Sequence, residues 1–306
     1  MRVAGIDCGT NSIRLLVADV AAGRLVDVVR RMEIVRLGEG VDRTGRFGDA
    51  ALARTFAALD DYADQIRTLG AGRVRMVATS ATRDAANRDE FIVGVKSRLG
   101  VEPDVVSGDE EAALSFTGAT AELSATDVAA PYLVCDIGGG STEFVLGDLD
   151  HVRAARSVDI GCVRMTERHL HDDPPTPEQV EAARADIEQA LATVATTVPV
   201  GEAASLIGLA GSVTTVTALA LGLEAYDPER IHRARVSALE VRAVTGSLLA
   251  MTRAERAALP VMHPGRVDVI GAGALVLDTV LHWGGFAEVV ASEHDILDGI
   301  ARSLVS

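Results

Sequence analysis

The stretch RVAGIDCGTNSIRLLVAD at residues 2–19 decides the fold, because YLVCDIGGGSTEFVLGD at 132–148 repeats its plan. In each, an apolar run ends on an aspartate, Asp7 or Asp136. Glycines and hydroxyl side chains follow at once, and then a second apolar run begins. The pattern reads as strand, tight turn, strand. Residues 2–7 and 13–20 form the first pair, and 132–137 and 143–148 the second. Glycine lets a backbone approach phosphate oxygens closely and aim its N–H groups at them. The turns therefore make Gly9, Thr10, Asn11, Ser12, Gly138, Gly139, Gly140, Ser141 and Thr142 candidate phosphate-binding residues. No Gly-Lys-Ser/Thr follows either turn, and neither turn leads from a strand into a helix, so the P-loop and dinucleotide fingerprints are excluded. Two copies in equivalent places of two similar halves point to a duplicated architecture.

Working outward, strands are expected at 25–35, 73–79, 104–106, 151–158, 205–209 and 287–291. Helices are expected at 49–69, 88–99, 108–121, 161–170, 177–195, 212–222, 237–250, 266–282 and 294–304. Ala210-Gly211-Ser212 reads as a further glycine turn. The stretch 122–130, ELSATDVAA, is weakly patterned and marks a boundary. This gives a first domain over 1–125, joined by a C-terminal helix within 292–306, and a second over 126–291.

The bulk composition narrows the function. A chain of 306 residues suits two domains. Hydrophobic residues make up 48% and aromatics only 3%, so the cores must be aliphatic. No apolar run approaches the roughly 18 residues of a membrane span, and Asp7 falls where a signal peptide needs its apolar segment. A cytoplasmic protein with no membrane partner is expected. The formal charge of −15 argues against nucleic acid as a partner. It leaves room for an anionic substrate, since the field within a site outweighs net charge. Cys8, Cys135 and Cys162 lie far apart in apolar or glycine-rich surroundings and read as buried thiols. Lys96 is the sole lysine, so arginine, backbone amides and metal must hold any phosphate. The seven histidines show no metal-ligand spacing, and there is no G-x-S-x-G elbow.

Six motifs carry a family resemblance: GIDCGTNSIRLLVAD, ATSATRDAAN at 78–87, VSGDEEA at 106–112, DIGGGSTEF at 136–144, GCVRMTE at 161–167 and GLAGSVTT at 208–215. The chain resembles the exopolyphosphatase / guanosine pentaphosphate phosphohydrolase (Ppx/GppA) family from residue 2 to SEHDILDGI at 292–300. It looks like the short, two-domain form. The resemblance implies an α/β fold of two actin-like ATPase (ribonuclease H-like, ASKHA) domains with an interdomain cleft, each built on a five-stranded mixed sheet. It places the water-positioning base on Glu111, a choice that residue chemistry alone leaves open between Glu110 and Glu111. It also matches Arg83 to a phosphate-contacting arginine and directs Glu143 to the same pocket as a catalytic group. Asp7, Asp136 and Glu143 form the expected metal set for Mg2+ (or Mn2+), hard cations that prefer oxygen. Arg14 reads as a partner for a nearby acid. Arg36, Arg43, Arg46, Arg164 and Arg266 are candidates for gripping a polyanion.

The expected activity is metal-dependent removal of terminal phosphate from inorganic polyphosphate, favouring short chains. The alternatives are hydrolysis of guanosine pentaphosphate (pppGpp) and a non-catalytic alarmone- or nucleotide-binding regulator. A sugar or acetate kinase on the same fold has no second-substrate signature here. The resemblance, and nothing else in the sequence, raises a homodimer as an assembly state.

Overall fold

The computed structural model describes residues 1–21, 24–121, 123, 126–149 and 151–305. The chain divides into two compact units, Met1–Gly118 with Ile296–Ser306, and Ala119–Asp295. The boundary expected at 125/126 touches residues 122, 124 and 125, which lie outside the described residues, as does residue 306.

The first unit opens with β1 (Arg2–Cys8), β2 (Ser12–Ala21) and β3 (Arg24–Ile34) as an antiparallel meander. The short α1 (Val41–Thr44) and the long α2 (Asp49–Leu69) lead to β4 (Arg73–Ala78), which lies parallel to β1. Then come α3 (Ser80–Asp84), α4 (Arg88–Leu99), β5 (Asp104–Val105) and α5 (Gly108–Thr120). The sheet order is β3-β2-β1-β4-β5. From Val3 onward every residue of β1 is buried, as a strand covered on both faces requires.

The second unit repeats the plan with β6 (Tyr132–Ile137), β7 (Thr142–Gly147) and β8 (Val152–Val158). Helices α6 (Cys162–His169) and α7 (Pro177–Ala195) precede β9 (Ser205–Leu209), which pairs parallel to β6. Next come α8 (Ala210–Ala220), α9 (Pro228–Ile231), β10 (Arg235–Ser237), α10 (Ala238–Ala250), α11 (Arg253–Ala257), α12 (Ile270–Gly284) and β11 (Glu288–Ala291). Its sheet runs β10-β11-β9-β6-β7-β8. Both sheets are mixed, but the second has six strands where five were expected: β10 adds an antiparallel edge beside β11. Three residues, RVS, are too short to show a period of two.

The final helix, α13 (Ile296–Ser303), belongs to the first unit and packs on β1. Gly5 makes room for it, since a Cβ there would lie 3.2 Å from Ile300 Cγ2. At Gly299 a Cβ would collide with the Leu114 carbonyl of α5. Arg30 on β3 clasps Asp298 at 2.6 and 3.2 Å. No described helix is long and apolar enough to cross a membrane.

Candidate active site

Each unit carries its turn where the first strand hands over to the second. In the first unit, the Gly9 amide closes the turn onto the Ser12 carbonyl at 3.0 Å. The other carbonyls are held from behind by the segment after β3. Gly38 N donates to Thr10 O at 2.8 Å, while Val35 N and Arg36 N donate to Asn11 O at 3.1 and 2.8 Å. Arg36 takes a left-handed φ of 49° where its amide meets Asn11. Gly38 is required by contact: a Cβ would lie 2.3 Å from Thr10 Cγ2. The amides of Thr10 and Asn11 donate to no group among the described residues. The buried Thr10 hydroxyl also lacks a partner.

The second turn has the same construction. Gly138 N closes onto Ser141 O at 3.0 Å. The segment after β8 supplies the support: Cys162 N to Gly138 O at 2.9 Å, Val163 N and Arg164 N to Gly139 O at 2.8 and 3.2 Å, and Gly161 N to Gly140 O at 3.2 Å. The amides of Gly139, Gly140 and Ser141 donate to no group among the described residues. Each turn, with its carbonyls drawn back and amides left over, suits acceptor oxygens such as those of a phosphate group. The Thr142 hydroxyl donates to the Ile160 carbonyl at 3.1 Å.

The strand-end carboxylates are equivalent in place and opposite in company. Asp7 lies across from Arg14, whose Nε and Nη2 reach its Oδ2 at 2.9 and 2.7 Å. Asp136 lies across from Glu143, and both are buried. Ser141 and Ser157 hydroxyls both donate to Glu143 Oε1 at 2.7 Å. Ser157 escaped the sequence reading; the β7–β8 register, which puts it opposite Glu143, is the signal that finds it. Burial pushes the Cys135 thiol well above its ordinary value, and the Asp136 and Glu143 charges push it further. Opposed carboxylates repel unless a cation joins them, and hard oxygen donors fit Mg2+ or Mn2+. Among the described residues no three His, Cys, Asp or Glu side chains gather as a ligand set. A cation here would rely on few protein ligands together with water and phosphate, a habit of magnesium.

Glu110 and Glu111 diverge on the first turn of α5. Glu110 faces outward to Arg75 at 2.8 Å, whereas Glu111 is buried. Arg83, on the short α3 that follows β4, donates to Glu111 Oε2 at 2.7 Å and to the Val106 carbonyl at 2.9 Å. The structure thus brings Arg83 and Glu111 together in the first unit, and Asp136, Glu143 and Ser141 in the second. Of the other arginines, Arg46 is well exposed, 3.9 Å from Glu90. Arg266 donates to Thr215 Oγ1 at 3.2 Å, and its guanidinium fills the space a Cβ on Gly211 would need. Gly211 is therefore a point of close approach inside α8, which begins at Ala210 rather than at Ser212.

A family model described as the Ppx/GppA phosphatase family matches residues 16–295. Over 316 residues the chain is 52% identical to Exopolyphosphatase 2 of Mycobacterium tuberculosis, covering 99% of this chain and 98% of that protein. Among solved structures, an exopolyphosphatase-like protein superposes with a TM-score of 0.96 at 46% identity, covering 99% of this chain and 97% of its own. The Aquifex aeolicus Ppx/GppA family member gives 0.82 at 29% identity, covering 100% and 97%. Each unit of the chain has the actin-like α/β fold.

Proposed function

This chain belongs to the Ppx/GppA phosphatase family, and we propose that it is an exopolyphosphatase, a phosphoanhydride hydrolase that releases terminal phosphate from inorganic polyphosphate. The observation that carries this reading is the pair of turns whose carbonyls are withdrawn and whose amides are left for an anion.

Phosphoryl transfer needs positioning and charge neutralisation more than covalent chemistry from the protein. In the first unit the amides of Thr10 and Asn11 with the Thr10 hydroxyl, and in the second the amides of Gly139, Gly140 and Ser141, are each donors for phosphate oxygens. Glu111 accepts a hydrogen bond from the attacking water and takes its proton as the new P–O bond forms. The bridging P–O bond breaks, and the shortened chain leaves with that oxygen. Arg83 holds Glu111 in place through Oε2 and contributes positive charge. Asp136 and Glu143 would hold Mg2+ or Mn2+, which when bound offsets charge on the phosphoryl oxygens. Ser141 and Ser157 orient Glu143 for that task. A reducing cytoplasm suits the three buried free thiols.

The test is phosphate release from short-chain polyphosphate, long-chain polyphosphate and guanosine pentaphosphate, measured side by side with magnesium and with chelator. Magnesium-dependent release from polyphosphate supports the reading. Release from guanosine pentaphosphate alone replaces the substrate. Tight calorimetric binding of guanosine pentaphosphate with no release from any substrate would turn the protein into a regulator.

A further inference from the structure

We propose that Arg164 is a positioning residue for the second phosphate turn, acting through the Gly140 carbonyl rather than on the substrate. The inference rests on the reading of that turn as a phosphate cradle. As a cation on the GCVRMTE motif, Arg164 was a candidate for gripping the polyanion. Its side chain is only 10% exposed, and its Nε donates to Gly140 O at 2.8 Å. Its Nη2 stands 3.7 Å from Asp159 Oδ1. The Arg164 backbone amide meanwhile reaches Gly139 O at 3.2 Å. One residue thus holds two consecutive carbonyls of the turn.

The consequence follows from peptide geometry. In a planar trans peptide the C=O and the next residue's N–H point in opposite directions. Holding Gly139 O back toward α6 turns the Gly140 amide the other way, and holding Gly140 O back does the same for the Ser141 amide. Were either peptide to flip, a carbonyl would face phosphate oxygens in place of a donor. Glycine resists such a flip least, because it populates both signs of φ. Three glycines in a row therefore need an anchor from outside the turn.

The first unit provides a comparison. Its turn has one glycine, Gly9, followed by Thr10 and Asn11, and backbone amides of Val35, Arg36 and Gly38 suffice to hold its carbonyls. The triple-glycine turn has backbone support at the same place and a guanidinium donor in addition. The extra donor sits where the extra flexibility is.

The experiment uses the full chain with Arg164→Met, Arg164→Gln and Arg164→Lys. Phosphate release from tripolyphosphate and from long-chain polyphosphate is combined with deuterium uptake across 136–165, where the hydrogen-bonded amides of Gly138, Gly161, Cys162, Val163 and Arg164 report on the turn. Methionine keeps the bulk and removes the donor; glutamine restores a neutral N–H; lysine keeps the charge. Positioning predicts that Met lowers kcat/KM roughly 10- to 100-fold, the range of a lost charge-assisted hydrogen bond. The factor should be the same for both substrates, Gln should recover part of it, and uptake should rise only around the turn. A loss that grows with chain length would overturn the proposal, as would Gln failing like Met while Lys stays active, because both mark a charge acting on substrate. Raised uptake throughout the second unit in all variants would also overturn it, in favour of a general structural role. If the unaltered protein releases no phosphate, the hydrolase reading fails separately. Deuterium uptake still decides positioning, and unchanged uptake in Arg164→Met refutes it.

Discussion

Replacing Gly161 by alanine should cripple the enzyme while leaving it folded, and the size of the effect can be worked from the turn it abuts. A Cβ on Gly161 would lie 2.3 Å from Gly139 C, 2.4 Å from Gly139 O and 2.5 Å from Gly140 N. Ordinary contact begins at 3.4 Å, and all three atoms are backbone, so no side-chain rotation relieves the overlap. The turn must yield by about 1 Å, a displacement that costs on the order of 100-fold in rate, or about 2.7 kcal/mol of transition-state stabilisation. The strain on folding should be about 1–3 kcal/mol, lowering the melting temperature by several degrees. Steady-state phosphate release and a thermal melt measure the two effects separately. Gly246→Ala is the control: it lies in α10 with nothing within 4 Å of the new methyl, so activity should be unchanged. If Gly161→Ala kept within threefold of the parent kcat/KM, turn geometry would not limit catalysis.

Two further outcomes follow from the same site and its surroundings. Ser157→Ala removes one of two hydroxyls orienting Glu143, so half-saturation by magnesium should rise about tenfold, with kcat restored at saturating metal; an unchanged metal titration would remove Ser157 from the account. Burial pushes up the thiols of Cys8, Cys135 and Cys162 and the phenols of Tyr62, Tyr132 and Tyr226. The folded chain therefore keeps protons that the unfolded chain releases, and the stability these groups contribute is full below the unfolded values and lost above them. Melting temperature should hold between about pH 7 and 8 and fall from about pH 9 upward; a rise across pH 9 to 10.5 would contradict the sign.

The parts of the fold that were legible in the sequence are those where burial dictates residue type. The apolar runs ending on Asp7 and Asp136 read as strands because a strand covered on both faces admits little else. The supports of the turns were not legible, because Val35, Arg36, Cys162 and Val163 act through backbone amides, which carry no residue identity. Arg164 leaves a mark through its side chain, and Gly38 and Gly161 through theirs being absent, but each glycine looks like ordinary punctuation until the atom it would strike is known. The metal set was read as one cluster of Asp7, Asp136 and Glu143. In the structure, register pairs Asp7 with Arg14 and Asp136 with Glu143, each partner seven residues along within the same motif, so the two aspartates differ in the charge that the hairpin brings opposite them. The choice of Glu111 over Glu110 likewise depends on long-range arginines, Arg83 and Arg75, that neighbouring residues do not announce.

The central claim is tested most directly by phosphate release from polyphosphate with magnesium, comparing the parent protein with Glu111→Gln. The substitution keeps an oxygen for Arg83 but removes the base. Robust release by the parent is expected, with a loss of roughly 100- to 10,000-fold in a variant that still folds cooperatively. Release at the parental rate by folded Glu111→Gln, or none from the parent, would contradict it.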